Sequence, residues 1–176
     1  MVEDLYQLAL SDLGALNYHK KELNLSDVLK DSIDLYREEF SHKGIKLTTN
    51  ISKETGLFIF ADGERLHQLF VNLLENSLKY TDFGGEVVVR LFKQNNQAVV
   101  EIEDSAPGVP REDLTKLFDR LYRVEGSRSR ATGGAGLGLA ICKNIVEAHE
   151  GSILAYPSSL GGLLIRIALP VVRENP

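Results

Sequence analysis

The chain has 176 residues, 43% of them hydrophobic and 26% charged, enough for one domain with a buried core and a short appendage. Its net charge of -5 argues against a general nucleic-acid surface, and its single cysteine, Cys142, excludes an intramolecular disulfide. No run of about 18 apolar residues is present to span a membrane and no signal peptide is visible, so a cytosolic domain is expected.

Val2, Leu5, Tyr6, Ala9, Leu13 and Leu16 follow a helical or coiled-coil period. No capping residue precedes them, which reads either as a cut inside a longer helix or as a short natural start. "NLSDVLKDSIDLYREEFSHKG" predicts a second helix, with Ser26 as N-cap and Gly44 as its stop. "IKLTTNI" and "LFIF" predict strands. "DGERLHQLFVNLLENSLKYT" carries Leu66, Leu69, Phe70, Leu73 and Leu74 as one apolar stripe and predicts a strong helix. "EVVVRLFK", the turn "QNNQ" and "AVVEIED" predict a hairpin. "PREDLTKLFDRLY" predicts a short helix with Pro110 at its first position. Residues 123–135 read as a mobile polar loop, and 136–150 as a helix stopped by Gly151. "SILAY" and "GLLIRIAL" predict a closing hairpin across "PSSLGG". Without regular βαβ alternation, the expected fold is a two-layer α/β (α+β) sandwich: one mostly antiparallel sheet with helices on one face.

Four features carry chemistry. Gln68, Asn72, Asn76 and Lys79 fall at i, i+4, i+8 and i+11 and share one helix face. Such a row is either a solvated face or a set of amides and an ammonium suited to a hard cation and phosphate oxygens. Asp104 ends a strand before a Pro107-Gly108 turn. It reads either as turn chemistry or as a carboxylate that accepts from an exocyclic amine such as adenine N6. Arg120, Arg123, Arg128 and Arg130 offer forks for phosphate, or simply balance an acidic domain. "ATGGAGLGLAI" opens a helix with Gly134, Gly136 and Gly138 spaced two and two. That spacing fits neither the P-loop nor G-x-G-x-x-G. The stretch reads as a capping loop or as an anion site at a helix N-terminus.

The order of these features is more specific than any one of them. "NLLENSLKYT" resembles the N box, "DSAPGVP" the G1 box, "LFDRLYR" the F box and "GGAGLGLAI" the G2 box of the GHKL ATP-binding superfamily. That superfamily holds gyrase, a heat-shock chaperone, histidine kinases and a mismatch-repair ATPase. The resemblance covers roughly residues 20–170 and points to the catalytic domain of a sensor histidine kinase. It implies a Bergerat-type fold binding ATP and Mg²⁺. Asn76 would ligate Mg²⁺ with Asn72 beside it. Lys79 and Arg123 would meet phosphates, so that Asn72, Lys79 and Arg123 are the catalytic candidates. Tyr80 would line the pocket, and Asp104 would hold the adenine amine with Gly108 allowing close approach. Gly134, Gly136, Leu137 and Gly138 would shape a lid over the phosphates. Ala106 stands where the G1 box has its first Gly, and Ala135 where G2 has Ser or Thr.

None of His19, His42, His67 and His149 lies in the acceptor context of that family, and each reads as a surface or helix residue. The resemblance therefore implies an acceptor histidine on a helical hairpin elsewhere, with residues 1–19 as the end of that hairpin and 20–176 as the catalytic domain. The fragment is not expected to phosphorylate itself. Implied partners are ATP or ADP, the dimerisation and phosphoacceptor hairpin, and a cognate response regulator. The implied parent is a homodimeric inner-membrane protein, and the fragment a soluble monomer. Two alternatives remain open: a GHKL ATPase that hydrolyses ATP, and a non-catalytic nucleotide-sensing module. The first typically carries a Glu as general base where this chain has Asn72.

Overall fold

An aspartate precedes the strongest apolar stripe of the sequence, and both features set the central helix. A computed structural model of the chain describes residues 2–12, 16–51, 57–124 and 136–172. Helix α3 runs Gly63–Tyr80, and Asp62 caps it by accepting from the Glu64 and Arg65 N–H groups. Leu66, Leu69, Phe70, Leu73 and Leu74 are all buried, each burial contributing about 1.5–3 kcal/mol. Helices α1 (Val2–Asp12), α2 (Leu25–His42) and α4 (Gly138–Ala148) complete the helical layer, with α2 and α4 against α3 and α1 against α4.

The second layer is a five-stranded sheet of β2 (Lys46–Ile51), β4 (Glu86–Gln94), β5 (Gln97–Asp104), β6 (Ser152–Pro157) and β7 (Leu163–Pro170). Its order is β2-β4-β5-β7-β6, antiparallel except for the β2–β4 pair. Val87, Val89 and Leu91 of β4 alternate with outward Val88, Arg90 and Phe92, and the inward set joins the core beneath the helices. The two-layer α/β expectation holds. The single-sheet expectation does not: β1 (Lys21–Asn24) pairs with β3 (Phe58–Ala61) in a separate two-stranded sheet. β1 is too short and polar to announce itself, and exists through its partner.

Other boundaries shift for local reasons. Asn24, not Ser26, caps α2, because its side chain accepts from the Ser26 N–H at 3.0 Å. Gly44 does follow the helix, at φ +66. Residues 111–118 form two separate 3₁₀ turns, Arg111–Asp113 and Lys116–Phe118, instead of an α-helix, and Pro110 lies just ahead of the first. Within those turns only Phe118 is buried, so no i, i+4 stripe holds a longer helix. α4 begins at Gly138, because Gly136 takes φ +69 and its carbonyl accepts from the Leu121 N–H at 3.0 Å. α4 is ended by Glu150 at φ +59, while Gly151 serves packing: a Cβ there would lie 2.6 Å from the Ala168 carbonyl oxygen.

The histidine at the end of α4 is not a surface residue. His149 is 4% exposed, accepts the Asp62 N–H on Nε2 at 2.9 Å, and donates from Nδ1 to the Ile145 carbonyl at 2.7 Å. Tyr18 packs edge-on against its ring, Lys20 donates to the Ala148 carbonyl, and Asp62 accepts the His19 N–H. One neutral imidazole thus joins the start of α3, the end of α4 and the segment leading into β1.

Burial holds the His149 pKa below the ordinary value, against the Ile145 bond; Lys20 lowers it further and Asp62 opposes. Its stabilising contribution is therefore complete above the unfolded value of about 6.5 and is lost as pH falls below it. We expect Tm to drop between pH 7.5 and 5.5 in the wild type. His149→Gln should begin about 1–3 kcal/mol less stable and show a flatter profile over that range in thermal unfolding followed by circular dichroism.

Candidate functional site

Asp104 ends β5 with its side chain on the helical face, at 7% exposure. A buried carboxylate requires hydrogen bonds. Oδ1 accepts from the Leu163 N–H at 3.0 Å and the Ala106 N–H at 3.2 Å, and Oδ2 receives a long 3.4 Å contact from the Ser77 hydroxyl. Burial raises the Asp104 pKa, the three donors oppose that rise, and neighbouring Glu103 adds to it. Oδ2 retains acceptor capacity for a further N–H donor.

Helix α3 runs over this carboxylate and presents the polar row. Gln68 does not face a ligand: its amide pairs reciprocally with that of Gln7 on α1, at 3.0 and 2.9 Å, and accepts from Arg65. Asn72 is half-buried, and Cys142 of α4 donates to the Leu69 carbonyl of α3 at 3.7 Å. That thiol is fully buried and pushed up to about 12, so it is a packing residue and not a nucleophile. Asn76 and Lys79 follow toward the helix end, half-buried, and the Lys79 ammonium lies 5.3 Å from the Tyr80 ring centroid. Tyr80 is 38% exposed. Lys43, at the end of α2, donates to the Leu78 and Lys79 carbonyls and so satisfies the last turn of α3.

Backbone closes the other sides. A Cβ on Gly108 would stand 3.1 Å from the Gly161 carbonyl, and one on Gly162 would stand 2.2 Å from Asp104 Oδ1. The turn after β5 and the turn before β7 therefore meet at the carboxylate. A Cβ on Gly136 would lie 2.9 Å from the Tyr122 carbonyl. Leu137 is buried ahead of α4, and Gly138 faces open space. The structure thus joins Asp104 to α3, Gly108 to the Gly161-Gly162 turn, and Gly136 to the Leu121–Tyr122 segment. Arg123 is exposed on the chain just beyond that segment. Gly134, Arg128, Arg130 and Ala135 lie outside the described residues, as does most of the 123–135 loop expected to be a lid.

Residues 61–173 match the family model described as histidine kinase-, DNA gyrase B- and HSP90-like ATPase. The chain belongs to this ATPase family. It is 48% identical to the signal transduction histidine-protein kinase BaeS of Escherichia coli strain K12 over 174 residues, covering 99% of this chain and 37% of that protein. It is 37% identical to the sensor protein kinase WalK of Staphylococcus aureus, covering 97% of this chain and 41% of that one. The mycobacterial sensor histidine kinase MprB is similar in structure, with a TM-score of 0.78 and 28% identity, covering 88% of this chain and 100% of that structure. The chain thus spans less than half the length of the curated relatives named, and is related to sensor histidine kinases in sequence and fold.

Three neighbours of the Asp104 carboxylate escaped the sequence reading. Ser77 continues the apolar stripe of α3 one turn past Leu73, and a small hydroxyl on a buried stripe was the available signal. Gly162 and the Leu163 N–H sat in what read as an ordinary hairpin turn. Their glycines have different consequences. Gly162→Ala must displace the carboxylate or the turn and should cost about 1–3 kcal/mol in chemical denaturation. Gly138→Ala meets no atom within 4 Å and should leave stability unchanged or slightly raised. Equal losses for both would contradict the close approach at Gly162.

Proposed function

We propose that this chain is the ATP-binding catalytic domain of a two-component sensor histidine kinase, donating the γ-phosphoryl of ATP to a histidine on a separate helical hairpin. The observation that carries the reading is Asp104: Oδ1 is tied down by two backbone N–H groups, while Oδ2 has only the long Ser77 contact and keeps acceptor capacity for one more donor. Asp104 accepts the exocyclic amine of adenine, Gly108 lets the backbone approach the base and Tyr80 lines the pocket. Lys79 and Arg123 meet phosphate oxygens, and the backbone of Gly136, Leu137 and Gly138 covers them at the start of α4.

Asn76 ligates Mg²⁺ through its amide oxygen, with Asn72 beside it. Among the described residues no group of three or more His, Cys, Asp or Glu side chains is arranged for a metal, and an amide oxygen such as that of Asn76 would suit an ion that takes few protein oxygens. When bound, it neutralises charge on the phosphates. The protein's own part is positioning and electrostatic stabilisation. Asn72 offers no general base for water, which favours transfer to histidine over hydrolysis.

Residues 1–19 are proposed as the end of the phosphoacceptor hairpin and 20–176 as the catalytic domain. The exposure of Val2, Leu5 and Tyr6 on α1 supports that division, since an apolar face is left for a neighbouring helix. In this reading the domain lies on the cytoplasmic side of an inner-membrane homodimer, and phosphate passes on to a BaeR-like response regulator. No described helix is long and apolar enough to cross a membrane.

Mg-ATP or ADP should raise Tm, as any ligand selective for the native state does. Asp104→Asn should weaken ADP about tenfold or more while leaving inorganic tripolyphosphate within about twofold, measured by titration calorimetry. A Tm unmoved by millimolar nucleotide, or equal losses for both ligands, would sink the assignment.

A further inference from the structure

Adjacent residues on a strand point to opposite faces, and Glu103 and Asp104 divide the two faces of β5 between them. Glu103 lies on the outer face, away from the helices, yet is only 4% exposed. Its Oε1 accepts from the Ser158 hydroxyl at 3.0 Å, the Ser159 N–H at 2.9 Å and the Ser159 hydroxyl at 2.7 Å. Its Oε2 accepts from Arg90 at 2.7 Å. Burial would raise this carboxyl, yet Ser159, Arg90 and Ser158 together hold it at about 2. Four hydrogen bonds, one of them from a guanidinium, meet on a residue outside the site just described.

The grip has a target. The segment it holds is the turn between β6 and β7, closed by the Ser158 N–H to the Gly162 carbonyl at 2.9 Å and by the Leu160 N–H to the Ser158 hydroxyl at 2.9 Å. The same turn delivers Gly162 against Asp104 and the Leu163 N–H to its Oδ1. Gly161 takes φ +102, so the turn has its own conformational freedom unless something pins it.

We propose that Glu103 is a positioning residue for base recognition: from the far face of the sheet it clamps the 158–162 turn, and the turn sets the Asp104 carboxylate. Two carboxylates in sequence thus act in series, one holding backbone and the other meeting the ligand. Glu103 touches neither base nor phosphate. This rests on the reading of Asp104 as the adenine acceptor.

The test separates the clamp from general damage. Ser159→Ala removes one hydroxyl at the surface and should fold normally; Glu103→Ala removes the whole grip. Affinities for ADP and for tripolyphosphate, which lacks a base, are measured for both variants, for the double variant and for Asp104→Asn. Amide hydrogen exchange at Leu163 is followed in the absence of ligand. Glu103→Ala should weaken ADP about tenfold with tripolyphosphate within about twofold, and Ser159→Ala should weaken ADP about threefold. The double variant should be no weaker than Glu103→Ala, because both cut one link. Leu163 exchange should quicken in the same order. If Asp104→Asn discriminates against ADP while Glu103→Ala and Ser159→Ala do not, the clamp is overturned and the adenine reading stands. If Asp104→Asn leaves ADP untouched, the adenine reading itself fails. Equal losses of ADP and tripolyphosphate in Glu103→Ala would also overturn the clamp.

Discussion

A carboxylate buried at the end of a central strand is costly unless the surrounding backbone supplies donors. At Asp104 those donors come from two places far apart in sequence: Ala106, just after β5, and Leu163, at the start of β7. The two can converge only if β5 and β7 pair in the observed register, with Glu103 opposite Leu164. Helix α3 must also lie where Ser77 reaches the second oxygen. The sheet register, the turn before β7 and the seating of α3 all follow from satisfying this one group.

A second node does the same for the helices. His149 closes the ends of α3 and α4 onto the segment of residues 18–20. α4 is in turn tied to α3 by Cys142, whose thiol donates to the Leu69 carbonyl. Helices α3 and α4 are therefore joined at one end by a neutral imidazole and along their length by apolar packing.

Much of this was legible in the sequence because it is local. The stripe on α3 and the Asn95-Asn96 hairpin each follow from residues close together in the chain. The order of the four boxes singles out Asn76, Asp104 and Gly108 from the sequence alone. What could not be read was tertiary. β1 has one apolar side chain in four and exists by pairing with β3. The 111–118 segment has good helical composition and too little burial to use it. His149 sits in "EAHEG", which says nothing of the Asp62 N–H that meets its ring. Glu103 looked like the outward member of an alternating strand, and its grip on Ser158 and Ser159 depends on a hairpin more than fifty residues away.

The central claim is phosphoryl donation to a histidine carried by a separate hairpin, and it is tested most directly in trans. The chain is incubated with Mg-ATP labelled at the γ-phosphate and with the separately expressed phosphoacceptor hairpin. Acid-labile label on the hairpin histidine, absent when that histidine is replaced and absent from this chain alone, is the expected result. ATP turned over to free phosphate with the hairpin left unlabelled would contradict a kinase and make the domain a hydrolase.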